Sequence, residues 1–190
     1  MRISLGTNAN VTPLPVLIIA TYNEDGTPNA MNAAWGTQFD RDVISIYLSS
    51  HKTTDNLKAR KAFTVSFATA KTMKESDYFG IESGRKTNKI IVANFSAYKS
   101  EYVDAPIIPQ YPLTLECEVM ELREDGEDAY TLFGKVKNVS ADESILTNGK
   151  VDMDKLEAIA FCPFDNTYRL IGKKVGNAFR SGLLIKNKKK

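Results

Sequence analysis

Residues 29–36 read Asn29-Ala30-Met31-Asn32-Ala33-Ala34-Trp35-Gly36, a run of small side chains and amides that includes the only tryptophan of the chain. An apolar segment, residues 14–22, and the turn Asn23-Glu24-Asp25-Gly26 precede it. Asp-Gly favours a tight hairpin because glycine tolerates a positive φ, so residues 28–36 are predicted to form the return strand. Alanine and asparagine are poor strand formers, and such a local conflict is typical of a functional site.

A second polar segment reads Ser49-Ser50-His51-Lys52-Thr53 and lies between a predicted strand, residues 43–48, and a predicted helix, residues 54–61. Ser50 or Thr53 is expected to cap that helix. Free N–H groups and the dipole of a helix N-terminus favour anions, so this segment could hold a phosphate. The alternative is an ordinary helix cap, which these residues by themselves favour. No carboxylate partner or nucleophile elbow accompanies His51, so no catalytic role is predicted for it.

The rest of the chain is predicted to be mainly β. The residue pattern indicates a half-buried strand over 63–67, a helix over 71–79 ended by Gly80, a polar loop over 83–88, hairpin turns at 125–126 and 148–149, a short helix over 152–156, and closing strands over 158–161 and 168–171. In the longest strand, residues 113–124, apolar residues stand at odd positions up to 119 and then at 120 and 122. This change of phase predicts a β-bulge. Short strands with glycine-containing turns and few helices indicate a barrel or sandwich with helical insertions.

Length and composition indicate one globular domain. The chain has 190 residues, 43% of them hydrophobic and 25% charged, with a net charge of +2. Basic residues cluster at the end, at Lys186, Lys188, Lys189 and Lys190, and the remainder has fewer basic residues than its 23 acidic ones. We therefore expect a single domain over residues 1–185, a disordered basic tail over 186–190, and no binding of nucleic acid. The alternative is an adaptor that binds nucleic acid or a membrane surface through this tail.

The two cysteines, Cys117 and Cys162, form no Cys-x-x-Cys motif and have no nearby histidine. Neither a zinc site nor a disulfide is expected, and Cys117 is predicted to be buried on the apolar face of its strand. The N-terminus has no secretory pattern, and residues 16–20 are too short to span a membrane. A cytoplasmic protein without membrane contact is therefore expected.

Three segments together resemble the flavin reductase-like family of FMN-binding split barrels, which includes flavoredoxin-type proteins. They are Asn29-x-Met31-x-Ala33-Ala34-Trp35, Ser49 to Thr53, and Ser83-Gly84-Arg85-Lys86-x-x-Lys89, and the resemblance runs from residue 15 to residue 169. It implies a mainly β (α+β) fold, a six-stranded antiparallel split β-barrel with short helical insertions. It further implies a homodimer and non-covalently bound FMN.

The resemblance also implies an FMN-dependent oxidoreductase, with a reduced nicotinamide (NADH or NADPH) or a redox protein as electron donor. No side chain need act as acid or base, and no catalytic residue or metal ligand is assigned. The alternative is an FMN-binding electron carrier, or flavin-binding module, without NAD(P)H activity. The residues do not distinguish the two, because a nicotinamide can stack on a flavin without a binding motif.

The cofactor contacts that the resemblance implies fall in the same three segments. The flavin ring would be held by Asn29, Met31, Asn32, Ala33, Ala34 and Trp35; the ribityl chain and phosphate by Ser49, Ser50, His51, Lys52 and Thr53; and the pocket completed by Ser83, Gly84 and Lys89. Trp35 would contact either the site or the dimer seam. For the third segment the alternative is a solvated basic surface loop.

Overall fold

The structure is a computed structural model that describes residues 1–8 and 10–187. The strands are β1 (Leu14–Pro15), β2 (Leu17–Tyr22), β3 (Pro28–Ala33), β4 (Gly36–Asp40), β5 (Val43–Ser49), β6 (Ala62–Phe67), β7 (Tyr98–Lys99), β8 (Pro106–Ile107), β9 (Leu113–Gly126), β10 (Ala129–Ala141), β11 (Leu146–Thr147), β12 (Lys150–Val151), β13 (Ile159–Cys162) and β14 (Thr167–Leu170). The helices are α1 (Lys52–Arg60), α2 (Met73–Ile81), α3 (Lys89–Val92), α4 (Met153–Leu156) and α5 (Leu183–Lys186), and 3₁₀ turns span Ala70–Thr72 and Glu143–Ile145.

The main sheet is antiparallel and has seven strands in the order β3-β2-β6-β9-β10-β5-β4. The mainly β class with short helices is confirmed, but the sheet has one strand more than the six expected. The difference arises because residues 28–36 do not form one strand: β3 ends at Ala33, and Gly36 begins β4, which pairs with β5. A separate sheet joins β1, β13 and β14.

Two apolar cores lie on the two faces of the main sheet. The inner core includes Ile19, Ile46, Phe63 and Leu132, and the outer core lies beneath α2 and α3. Strand β6 is consequently buried on both faces, so the prediction of a half-buried strand is wrong. The chain before β9 covers its second face, where the Thr64 hydroxyl donates a hydrogen bond to the Pro106 carbonyl at 2.6 Å.

The predicted bulge in β9 is confirmed. In the β9–β10 ladder Phe133 pairs with Glu121 and Gly134 pairs with Val119, so Met120 is an extra residue without a partner across the ladder. The Met120 side chain is exposed, whereas Val119 and Leu122 pack against the inner core. The extra residue therefore keeps apolar side chains directed inward on both sides of the bend.

The helix boundaries differ from those expected. Helix α1 begins at Lys52, and His51 is its N-cap instead of Ser50 or Thr53. The Thr54 hydroxyl explains this choice, since it accepts a hydrogen bond from the His51 N–H at 2.8 Å and donates one to the His51 carbonyl at 2.6 Å.

Helix α2 continues through Gly80, so the predicted end at this glycine is wrong. Gly80 does not have the positive φ of a helix-ending glycine, and the Glu82 N–H still bonds to the Tyr78 carbonyl at 3.1 Å. Helix α3 was not predicted. Asn88 caps it by accepting a hydrogen bond from the Ile91 N–H at 3.3 Å.

Two predicted turns and the buried cysteine are confirmed. Gly26 has a φ of 83°, Gly149 has a φ of 72°, and Cys117 is a buried free thiol. Of the predicted basic tail, Lys186 ends the short helix α5, while residues 188–190 lie outside the described residues, so disorder there stays a prediction. In residues 1–8 and 10–187, no helix combines the length and apolar character needed to cross a membrane.

Candidate functional site

A cleft of about 180 Å³ lies between strand β3, the N-terminus of α1 and the loop that follows α2. The residues around it are Asn29, Met31, Asn32, His51, Lys52, Thr53, Phe79, Gly80, Ile81, Glu82, Ser83, Gly84, Arg85 and Lys89. All three segments singled out in the sequence therefore contribute to one cavity. They meet because β3 is an edge strand of the main sheet and both α1 and α2 pack against it.

Five of the residues predicted from the sequence lie outside this cleft. Ala33 is buried in the inner core, and Ala34 follows it in the link to β4. Ser49 pairs with Ala129 in the main sheet, and the Ser50 N–H donates to the Asp128 carbonyl at 3.0 Å. Trp35 is 62% exposed, and its ring lies 5.7 Å from that of Tyr47. A role for these five residues stays a prediction.

Asn29 connects the three segments of the cleft. Its buried side-chain amide donates a hydrogen bond to the Thr53 hydroxyl at 2.9 Å, which ties β3 to the first turn of α1. A Cβ atom at position 84 would lie 2.1 Å from Asn29 Oδ1, far inside van der Waals contact. Only glycine allows the loop after α2 to approach the Asn29 side chain this closely.

The N-terminus of α1 gives the cleft unpaired donors. Helix α1 is nine residues long, and in the described part of the chain no partner accepts a hydrogen bond from the backbone N–H of Lys52 or Thr53. The partial positive charge of the helix end adds to the charge of Lys52. Arg85 brings a second cation to the opposite wall, where its guanidinium pairs with the Asp55 carboxylate at 2.9 Å.

Lys89 contributes a buried cation. Its residue is 5% exposed, and Nζ donates hydrogen bonds to the carbonyls of Phe79 at 2.7 Å and Glu82 at 2.9 Å. An ammonium group has three N–H donors, so one remains for a ligand in the cleft. Burial lowers the pKa of Lys89 to about 8, against the opposing charge of Glu82, so the group is still mainly protonated at neutral pH.

His51 is held in its neutral form at the same cleft. Partial desolvation lowers the pKa of its imidazole, and the positive charges of Lys89 and Arg85 lower it further. At neutral pH the ring therefore contributes hydrogen bonds instead of charge. Across residues 1–8 and 10–187, no three His, Cys, Asp or Glu side chains are grouped so that they could hold a metal ion. The arrangement is suited to a small anion at the α1 end of the cleft.

Sequence reasoning missed the wall that the end of α2 provides, residues 79–82. The only local signal is Gly80, because a Cβ there would come within 3.3 Å of Asn32 Cβ. Asn32 itself is turned toward α2, since its amide donates to the Ser76 carbonyl at 3.0 Å. Gly80 therefore allows the close packing of α2 on β3 that forms this wall.

The chain is thus a mainly β protein whose main antiparallel sheet carries a cleft at the N-terminus of α1, with donors suited to an anion. Residues 9–155 match the flavin reductase like domain, and the chain belongs to this family. It is thus a flavin-related redox protein.

Similar solved structures agree with this assignment. Flavoredoxin of Desulfovibrio vulgaris (Miyazaki F) is 29% identical with a TM-score of 0.91, covering 96% of this chain and 100% of that one. Flavoredoxin from Methanosarcina acetivorans is 27% identical with a TM-score of 0.88, covering 97% and 99%. A Shewanella frigidimarina NCIMB 400 protein with a split barrel domain is 12% identical with a TM-score of 0.79, covering 88% and 87%, and shares the fold. The split-barrel prediction is therefore confirmed.

Proposed function

We propose that the chain is an FMN-dependent oxidoreductase that passes hydride or electrons from a reduced nicotinamide to an acceptor. The observation that carries this proposal is the meeting of the α1 N-terminus, Lys89 and Arg85 around one cleft, within a chain that belongs to a flavin reductase-like family. FMN ends in a phosphate dianion, the kind of group for which these donors are suited.

The donor set fits the phosphate end of FMN. Four groups at the cleft can donate hydrogen bonds to a phosphate in their present protonation states. They are the unpaired backbone N–H groups of Lys52 and Thr53, the third N–H of Lys89 and the Ser83 hydroxyl. A cleft of about 180 Å³ has room for one end of such a molecule. We therefore assign the phosphate and ribityl chain to the cleft, and the ring to the side of Met31 and the residues beyond it on β3.

FMN, when bound, would supply the hydride and electron chemistry. The chain would bind and orient the cofactor: Asn29 fixes the positions of Thr53 and Gly84, and Lys89 holds the loop after α2. His51, neutral at pH 7, would donate or accept a hydrogen bond at the cleft wall. No side chain is assigned as general acid or base.

We further propose that two copies of the chain associate through the outer surface of β4 and β5. The residue before β4, Trp35, is 62% exposed, Phe39 on β4 is 63% exposed, and Tyr47 on the neighbouring strand β5 is 41% exposed. Exposed aromatic clusters are typical of protein interfaces. This surface supports a homodimer, and it would place Trp35 at the seam.

A second candidate is an FMN-binding electron carrier without nicotinamide activity. The two flavoredoxin structures favour it, since they are the neighbours described above with more than 25% identity and cover nearly all of this chain. In this case the donor would be a redox protein, and the same cleft would hold the cofactor.

Visible absorption of the purified protein tests the cofactor proposal. Any chromophore is released by heat and compared with FMN, FAD and haem, and colourless protein is titrated with FMN. We expect FMN, and riboflavin, which lacks the phosphate, should bind at least about tenfold more weakly. A haem spectrum, or failure to bind added FMN, would contradict the proposal.

A matched pair of variants tests the role of the cleft. Lys89→Met removes the buried cation, whereas Lys71→Met removes an exposed lysine outside the cleft. FMN affinity should fall at least about tenfold in the first variant and stay unchanged in the second. NADH and NADPH are then added without air to the FMN-loaded protein. Bleaching of the flavin supports the oxidoreductase, and unchanged absorption supports the electron carrier.

A further inference from the structure

A larger cavity of about 630 Å³ opens at one end of the curled sheet and shares no residue with the cleft. Strands β2, β4, β5, β6, β9 and β10 all contribute to its wall, which makes it part of the barrel interior. The residues around it are Pro15, Leu17, Gly36, Thr37, Gln38, Asp40, Arg41, Asp42, Val43, Ile44, Ile46, Val65, Phe67, Leu115, Val136 and Val139.

The cavity exists because the inner core does not fill this end of the barrel. Ile44, Phe67, Leu115 and Val136 pack against the core with one side and remain only partly buried. Gly36 adds no side chain to the wall, and Leu17 packs directly against its backbone, since a Cβ there would lie 2.5 Å from Leu17 Cδ1. Protein interiors are normally close-packed, and unfilled apolar volume costs stability, so an apolar ligand would gain by entering.

Three charged side chains lie at the mouth of the cavity, Asp40, Arg41 and Asp42, while the deeper wall is aliphatic and aromatic. Asp42 forms an ion pair at 2.6 Å with Lys135, which lies outside the lining, and Asp40 accepts a hydrogen bond from the backbone N–H of Arg41 at 2.7 Å. A carboxylate entering the mouth would face the two aspartates, and an ammonium group would face Arg41.

We propose that this cavity binds a small, uncharged and largely apolar molecule, independently of the flavin cleft. Its volume lies within the range of about 300–1,000 Å³ that ligand pockets occupy, and its apolar wall with a few polar groups at the mouth is typical of such pockets. The site goes beyond the proposed cofactor function, because it shares no residue with the cleft.

Calorimetric titration of the full-length, FMN-loaded protein with n-octanol tests this proposal. An aliphatic alcohol cannot stack on a flavin ring, and n-octanoate is its charged counterpart. We expect saturable binding of one octanol per chain, with octanoate at least about tenfold weaker. Absence of saturable heat, or octanoate binding as well as octanol, would overturn the proposal.

Two exposed valines supply matched variants. Val139 is 53% exposed at the mouth of the cavity, and Val151 is 38% exposed on β12. Val139→Trp should weaken octanol binding at least about tenfold, whereas Val151→Trp should leave it within about twofold of the wild type. Equal effects of the two substitutions would show that octanol binds elsewhere.

A third variant separates loss of octanol binding from loss of stability, and a competition experiment tests whether octanol binds in the flavin cleft. Val136→Phe narrows the cavity from its wall and should weaken binding in the same way, even if Val139→Trp melts at a lower temperature. Octanol affinity should be the same with and without added FMN, because the two sites share no residue. Competition between octanol and FMN would refute a separate site, while a failure of FMN to bind would not affect it.

Discussion

Replacing Gly84 by alanine gives a direct test of how the cleft is assembled. The new Cβ would lie 2.1 Å from Asn29 Oδ1, and real Cβ atoms essentially never approach another heavy atom within 3.0 Å. Either the Asn29 side chain or the loop after α2 must therefore move by about 1 Å. Because Asn29 is buried and its amide donates a hydrogen bond to the Thr53 hydroxyl, its side chain cannot move to another rotamer without breaking that bond.

The expected cost follows from the bond that Asn29 makes. If its side chain moves, the hydrogen bond to the Thr53 hydroxyl at 2.9 Å is broken in a buried environment. A buried polar group left without its partner costs about 1–3 kcal/mol. This corresponds to a loss of roughly 5- to 150-fold in FMN affinity, provided that the binding free energy depends on the fixed position of Thr53.

The assay is a titration of FMN fluorescence with wild-type and variant protein. Gly172→Ala is the matched control, because no heavy atom lies within 4 Å of a Cβ at position 172. Combining Gly84→Ala with Asn29→Ala removes the clashing oxygen, so the alanine at position 84 should cost much less in that background. Additive losses, or wild-type affinity in Gly84→Ala, would refute the reasoning.

Three other changes are expected to have measurable effects. FMN affinity should fall as the pH rises through about 8, the value to which burial lowers the pKa of Lys89, because only the protonated group attracts the phosphate. Titrations with FMN between about pH 6 and pH 10 should show this fall, and the pH profile of Lys89→Met should be flatter. Gly134→Ala places a Cβ 2.3 Å from Phe63 Cζ and should lower the free energy of unfolding in urea by about 1–3 kcal/mol, whereas no loss would mean that Phe63 moves freely. Glu116 is 1% exposed and accepts hydrogen bonds from the Ser100 hydroxyl and the Asn138 amide. Glu116→Ala should therefore lower the free energy of unfolding in urea by about 1–3 kcal/mol, and Glu116→Gln should lower it less. Equal losses of stability in the two variants would contradict this account.

Features that depend on neighbouring residues could be predicted from the sequence. The Asp25-Gly26 turn depends on the positive φ of one glycine, and the bulge at Met120 depends on a change in the alternation of apolar residues. Both signals lie within a few residues of the structure that they specify. The mainly β class, a barrel or sandwich, followed from the same alternation and from the number of turns, whereas the split barrel was implied by the family resemblance.

Features that depend on distant contacts could not be predicted in this way. His51 caps α1 although histidine is not a preferred cap, because the Thr54 hydroxyl satisfies its backbone groups. Residues 89–92 resemble a short strand in composition, yet packing on the outer core and the Asn88 cap make them helical. The end of α2 joins the cleft through Gly80 and Asn32, which are far apart in sequence.

The clustering of cations at the cleft has a consequence for the lifetime of the chain in a cell. Folding buries the cation of Lys89 at a cavity that Lys52 also lines, and the loss of hydration of this charge opposes the folded state. A bound dianion offsets that cost and stabilises the folded chain, by about 2.7 kcal/mol when its free concentration is a hundred times the Kd. Protease resistance and steady-state abundance would then rise and fall with flavin supply, so that expression in a flavin-starved host yields less protein from the same amount of message.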